Sequence, residues 1–217
     1  MNSIAKFVLA GIAIAGASSL LTVALVQAQD PVQPGAAQAA PEGFDMAMME
    51  TMMKLAEPGA EHKELADAEG EWTQAYKVYM PGMPTMESTG TSRVFSMLDG
   101  RYIVEEIETT MMGQPFEGVM VLGYDNLAQE YVSVWMDSMS TWPVFSRGKA
   151  DAKGMINLKG TMVDAVTPKG RPFRETIAKQ ADGSVHITMY DTIPPQGEVV
   201  VMEIVSKKAG AKKAGSK

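Results

Sequence analysis

The sequence predicts a mainly β protein, an up-and-down antiparallel barrel of about ten strands with two short N-terminal helices. Three observations predict it. From Trp72 onward, apolar residues recur with a period of two in successive short runs. Turn signals rich in Gly, Pro and Asp separate those runs. No interval between them carries the long 3.6-period helix that a parallel crossover requires. A meander of this many strands removes its unpaired edges by closing on itself.

Residues 1–28 read as a signal peptide. Lys6 supplies the charge, residues 7–26 are apolar and uncharged, and Val26-Gln27-Ala28 offers the aliphatic and small residues a signal peptidase reads. The run is long enough to span a bilayer as an uncleaved anchor. Glycines and serines interrupt it, however, and a Pro/Ala/Gln stretch follows, so cleavage after Ala28 is the expectation. Residues 29–41 bury too little to order themselves and read as a disordered linker. Residues 42–69 form a helical segment. Within 43–56, Phe44, Met48, Met52 and Leu55 lie on one stripe, widened by Met46, Met49 and Met53. Pro58-Gly59 stops this helix. A second one over 60–69 presents His62, Leu65 and Ala66 before Gly70 ends it. Both are expected to cap or flank the barrel.

The barrel domain spans 70–206. Its runs cover 71–80, 86–98, 101–111, 116–124, 130–138, 143–150, 155–163, 171–180, 184–191 and 198–206. Among the turns between them are Pro81-Gly82, Asp99-Gly100, Gly113-Gln114-Pro115, Asp125-Asn126, Lys153-Gly154 and Asp182-Gly183. Residues 207–217 form a Lys-rich tail that reads as disordered.

Composition narrows the function classes. Residues 29–206 carry 13 basic and 26 acidic groups, so the body has a net charge of −13 and repels nucleic acid and anionic lipid. Neither is an expected partner, and no membrane contact is expected after signal cleavage. With no cysteine in 217 residues, neither a lipidated cysteine nor a disulfide framework exists. A periplasmic or secreted location is expected.

Gly70-Glu71-Trp72, where a short helix enters the first strand, is similar to the Gly-x-Trp opening of lipocalins. Around it stand 58–65, Gly123-Tyr124-Asp125-Asn126, the run 131–141 with its Trp-x-Asp-x-Met-Ser-Thr stretch, Arg174-Glu175 and Met202-Glu203-Ile204. Together these resemble the mostly bacterial family called domain of unknown function 1579, over roughly 56–206. The resemblance implies a calycin, lipocalin-like barrel and no established activity, so it transfers no catalytic residue. One departure stands out. Val205-Ser206-Lys207 replaces the aromatic and arginine expected at the close of the last strand, which puts a Trp72–arginine plug at the barrel base in question.

Three carboxylates interrupt apolar strand faces: Asp137 between Trp135 and Met139, Glu175 between Phe173 and Ile177, and Glu203 between Val201 and Val205. Burying such groups calls for partners, with Arg93, Arg147 and Arg174 as candidates. If they face inward, Tyr131, Trp135, Asp137, Arg174, Glu175 and Glu203 would form a polar cluster in an apolar pocket, the usual makeup of a small-ligand site. The alternative is that one or two of these faces are outer faces with Lys neighbours, or that the pairs are purely structural. No catalytic residue is assigned, since no serine elbow or thiol is present.

No cofactor is expected. The two histidines, His62 and His186, have no zinc-ligand spacing, and a lone strand histidine is weak ground for haem. The methionines of the first helix could share a soft Cu(I) ion, but adaptable packing of that helix on the barrel is the simpler expectation. The favoured function is binding of a small hydrophobic or amphipathic molecule in a cavity above roughly 300 Å³, lined by Trp and Tyr. The alternatives are a barrel enzyme with Asp137 or Glu203 as general base, or a filled barrel acting through its surface.

Overall fold

The computed structural model describes residues 45–165 and 167–210. The signal peptide, the linker, Phe44 and tail residues 211–217 lie outside them. Two helices, α1 (Met46–Leu55) and α2 (Ala60–Ala66), precede ten strands. These are β1 (Gly70–Val78), β2 (Met86–Met97), β3 (Tyr102–Met111), β4 (Gln114–Asp125) and β5 (Glu130–Asp137), then β6 (Val144–Ala150), β7 (Ile156–Met162), β8 (Arg171–Lys179), β9 (Val185–Ile193) and β10 (Gly197–Lys208). Each strand pairs antiparallel with its sequence neighbour, and β1 pairs with β10 to close the barrel.

Local chemistry sets the hairpins. Met112 and Gly113 both take positive φ, 51° and 76°, which is the two-residue turn whose twist matches the strands it joins. The turn therefore precedes Gln114, and Pro115 lies within β4 opposite Thr110 rather than in the loop. At the other end, β10 runs to Lys208, two residues past its expected end at Ser206.

The interior is layered. At the helix end, Leu65 of α2 packs with Trp72, Val94, Ile103, Leu122, Tyr131 and Leu158. At the far end, Tyr76, Ile107 and Ile204 pack with Trp135 and Met202. α2 is seated on the barrel through buried His62 and Leu65. His62 Nδ1 accepts the Gly59 N–H at 3.0 Å, and its ring meets Tyr124 edge-on at 6.0 Å. His62 is thus a helix cap and packing residue, whereas His186 is exposed on the outer face.

The Trp72 indole N–H donates to the Ala68 carbonyl at 2.8 Å. Register places Lys208 opposite Trp72, and its ammonium lies 5.5 Å from the ring centroid while donating to the Asp67 carbonyl at 2.9 Å. A lysine thus covers Trp72 at the base where lipocalins are expected to place an arginine.

The expected packing of α1 on the barrel is not found. All ten of its residues are exposed, the methionines included. Its end is held instead through backbone: Asn126 Nδ2 donates to the Leu55 and Glu57 carbonyls at 2.9 and 2.8 Å, and Arg101 Nη2 to Ala56 at 2.9 Å. These polar clamps fix the turn before Pro58 without requiring the helix to lie on the wall.

Candidate functional site

Alternation along the strands sends one set of side chains inward, and two glycines make room for the largest. A Cβ on Gly118 would stand 2.3 Å from the Trp135 ring, and one on Gly160 2.7 Å from the Phe173 ring. With the wall trimmed there, Trp135 stacks near Phe116 at 6.3 Å between centroids. The rings are held apart from the middle of the barrel, and space remains between them.

That space forms two lobes of about 320 and 340 Å³. Glu105, Met120 and Ile187 line both lobes and so mark the waist between them. At the waist Glu105 Oε1 accepts from Gln74 Nε2 at 2.9 Å and from Ser92 Oγ at 2.6 Å. Gln74 Nε2 also donates to Ser206 Oγ at 3.2 Å, and its Oε1 accepts from the Tyr76 hydroxyl. Burial raises the Glu105 carboxyl above its usual range, opposed by the bonds from Ser92 and Gln74. Burial, then the nearby Glu105, also raises the Tyr76 hydroxyl, which keeps it a donor.

The far lobe is the more distinctive. Its body is apolar, with Ile107, Phe116, Trp135, Val144 and Phe173 among its walls. Met111, Met162, Met189 and Met202 add adaptable surface. Its rim includes Met139, Trp142 and Val163, which are 60%, 43% and 38% exposed, so the lobe meets solvent through an apolar lip. Beside that rim Arg171 makes a two-pronged bond to Asp191, both contacts 2.7 Å, and also bonds Asp164. The Arg171 guanidinium holds the Asp164 carboxyl well below the usual range.

Glu175 faces this lobe from β8. No described group donates a hydrogen bond to it, and its side chain is half-buried against the void. Burial, followed by repulsion from Glu105, pushes its carboxyl up to about 7. Asp137 also lines the lobe but is fully engaged: it accepts the Trp135 indole N–H at 2.8 Å and the Met139 N–H at 2.9 Å.

The structure therefore brings Trp135, Asp137 and Glu175 together in the far lobe, and places Tyr131 in the helix-end lobe. Arg174 and Glu203 are not with them. Arg174 points outward, its guanidinium 3.6 Å over the Tyr190 ring and bonded to Glu198 at 2.8 and 3.0 Å. It neighbours Glu175 in sequence, so alternation must put the two on opposite faces. Glu203 is exposed on the outer wall, accepting from the Tyr79 hydroxyl, and so is not a general base for the interior.

A bulge between Val200 and Met202 explains the misplacement of Glu203. Before it Val199 pairs with Asp191, and after it Met202 pairs with Met189, so the inward set passes from odd to even numbers. The arginines expected to neutralise the acids also lie elsewhere. Arg147 pairs with Glu130 at 2.9 Å, and Arg93 lies 5.1 Å over the Phe95 ring.

Sequence reasoning passed over Glu105, Gln74 and Ser92. The signal existed in part: Gln74 alternates with Trp72 and Tyr76, and Glu105 with Ile103 and Ile107. Glu106 and Glu108, in the opposite phase, made β3 look uniformly acidic and hid its inward member.

Fold and interior together define a calycin-like barrel with an accessible, acid-bearing cavity. The chain belongs to the family described as protein of unknown function (DUF1579), which matches residues 57–208. Among solved structures it is similar to Rv2717c from M. tuberculosis, at 12% identity over 70% of this chain and 99% of that one, with a TM-score of 0.52. At that identity the likeness speaks for the fold. No curated protein matches the chain.

Proposed function

We propose that the protein is exported and that its barrel binds a small amphipathic molecule in the far lobe. One observation carries the binding reading. A cavity of about 340 Å³, walled by aromatic and methionine side chains and open through an apolar lip, contains a carboxyl with no partner of its own. Volume, apolar walls and a few convergent polar groups are the usual makeup of a small-molecule site. A barrel acting only through its surface would have no need of an open interior. Titration with the neutral, environment-sensitive dye Nile red tests this reading. Saturable enhancement is expected, with energy transfer from the tryptophans, and emission unchanged from dye in buffer would overturn it.

Export rests on Lys6, the apolar run 7–26 and Val26-Gln27-Ala28. The mature protein, recovered from the periplasm or medium, should begin at Gln29. Intact protein confined to the cytoplasm would remove this part of the proposal.

A further inference from the structure

The charge lining the far lobe is of one sign. Glu105, Asp137, Asp164 and Glu175 all line the far lobe, and among the described residues no Lys, Arg or His does. Arg171, the cation beside the rim, is already shared between Asp164 and Asp191. Asp137 is satisfied by an indole and a backbone N–H, and Glu105 by Gln74 and Ser92. Glu175 alone lines the lobe half-buried and without a hydrogen-bond donor among the described residues. The helix-end lobe differs, since Lys179 and Lys208 line it together with Glu64 and Asp67.

A carboxyl set among apolar walls without a donor calls for a hydrogen-bond donor, and two nearby acids favour one that carries positive charge. The same field opposes an anionic head group. We infer that the far lobe selects amphipathic amines, the protonated amine seated at Glu175 on the side of Glu105, with the apolar body between Phe116, Trp135 and Phe173. This rests on the interior-binding reading and specifies its ligand. Ring faces at Trp135 and Phe116 add a second attraction for a cation, and the methionine rim accommodates chains of different shape.

Displacement of Nile red by octylamine, 1-octanol and octanoate at pH 7 tests the inference, because the three share a chain and differ in the head. Octylamine is expected to act at a concentration at least ~10-fold below that of octanol, as one charge-assisted hydrogen bond in an enclosed site supplies. Octanoate is expected to be weakest. In Glu175→Gln the amine's advantage over the alcohol should shrink to within about threefold, with a strand-dominated dichroism spectrum confirming the fold. Octanoate or octanol matching the amine in the native protein would overturn the preference, as would an amine advantage that survives Glu175→Gln. If all three compete equally, interior binding stands and the amine assignment falls. If the dye itself does not bind, the proposed function fails first.

Discussion

Replacing Glu175 by glutamine should change the pH dependence of stability in a defined window. In the folded barrel its carboxyl titrates at about 7, against a usual value of 4.5. Between these values the unfolded chain releases a proton that the folded chain keeps. Stability therefore falls as pH rises across the window, by up to about 1.4 kcal/mol per unit, and levels off above 7. The whole effect is about 3 kcal/mol. Glutamine carries no such titration, so its advantage over the native residue should grow by about 3 kcal/mol between pH 4 and pH 8. A constant offset of ~1 kcal/mol for its own unpaired N–H leaves that slope untouched. Urea denaturation of both proteins at half-unit steps measures it, and melting temperatures should diverge by roughly 6–12 °C over the same range. A stability difference that stays flat with pH would refute the reasoning.

Two further outcomes follow from the packing. Trp72→Ala should cost ~3–5 kcal/mol in urea denaturation, because the indole joins β1 to the chain at Ala68, whereas Lys208→Ala at the exposed cation–π contact should cost under ~1 kcal/mol. Gly148→Ala should destabilise by several kcal/mol, since its Cβ would fall 1.7 Å from the Asn157 carbonyl oxygen; Gly118→Ala meets only the Trp135 ring, and should instead shift tryptophan emission with the strand dichroism preserved.

How far the sequence exposed this molecule depended on how sharply its faces alternate. In β1, Trp72, Gln74 and Tyr76 are buried while Glu71, Thr73, Ala75 and Lys77 are exposed, and such a strand announces both its existence and its orientation. In β10, Val199 to Val205 are apolar on both faces apart from Glu203, so the run announces a strand and hides its phase. The bulge after Val200 then shifts the count, which no pattern within the strand reveals. Glu175 was legible because Phe173 and Ile177 flank it in phase on a strand without a bulge. Its want of a partner was not legible, since that depends on which arginines reach inside, and Arg93, Arg147 and Arg174 all engage groups on the outer wall.

That separation of charge bears on what the cavity is for. A Met or Leu at 175 would add apolar burial to a wall already made of Phe173 and Met189, and would remove a penalty present at neutral pH. The acid thus weakens the empty barrel, and its cost can be relieved from outside only by something that enters the far lobe. Any ligand that donates a hydrogen bond or a positive charge to Glu175 gains by relieving that cost, and by linkage it must stabilise the fold as it binds. Ligands lacking a donor gain only the apolar contacts. At the waist Glu105 is already committed to Gln74 and Ser92, which leaves Glu175 the acid without a donor. If the far lobe takes a ligand as proposed, the unpaired acid among apolar walls, rather than cavity volume, would decide which ligands remain.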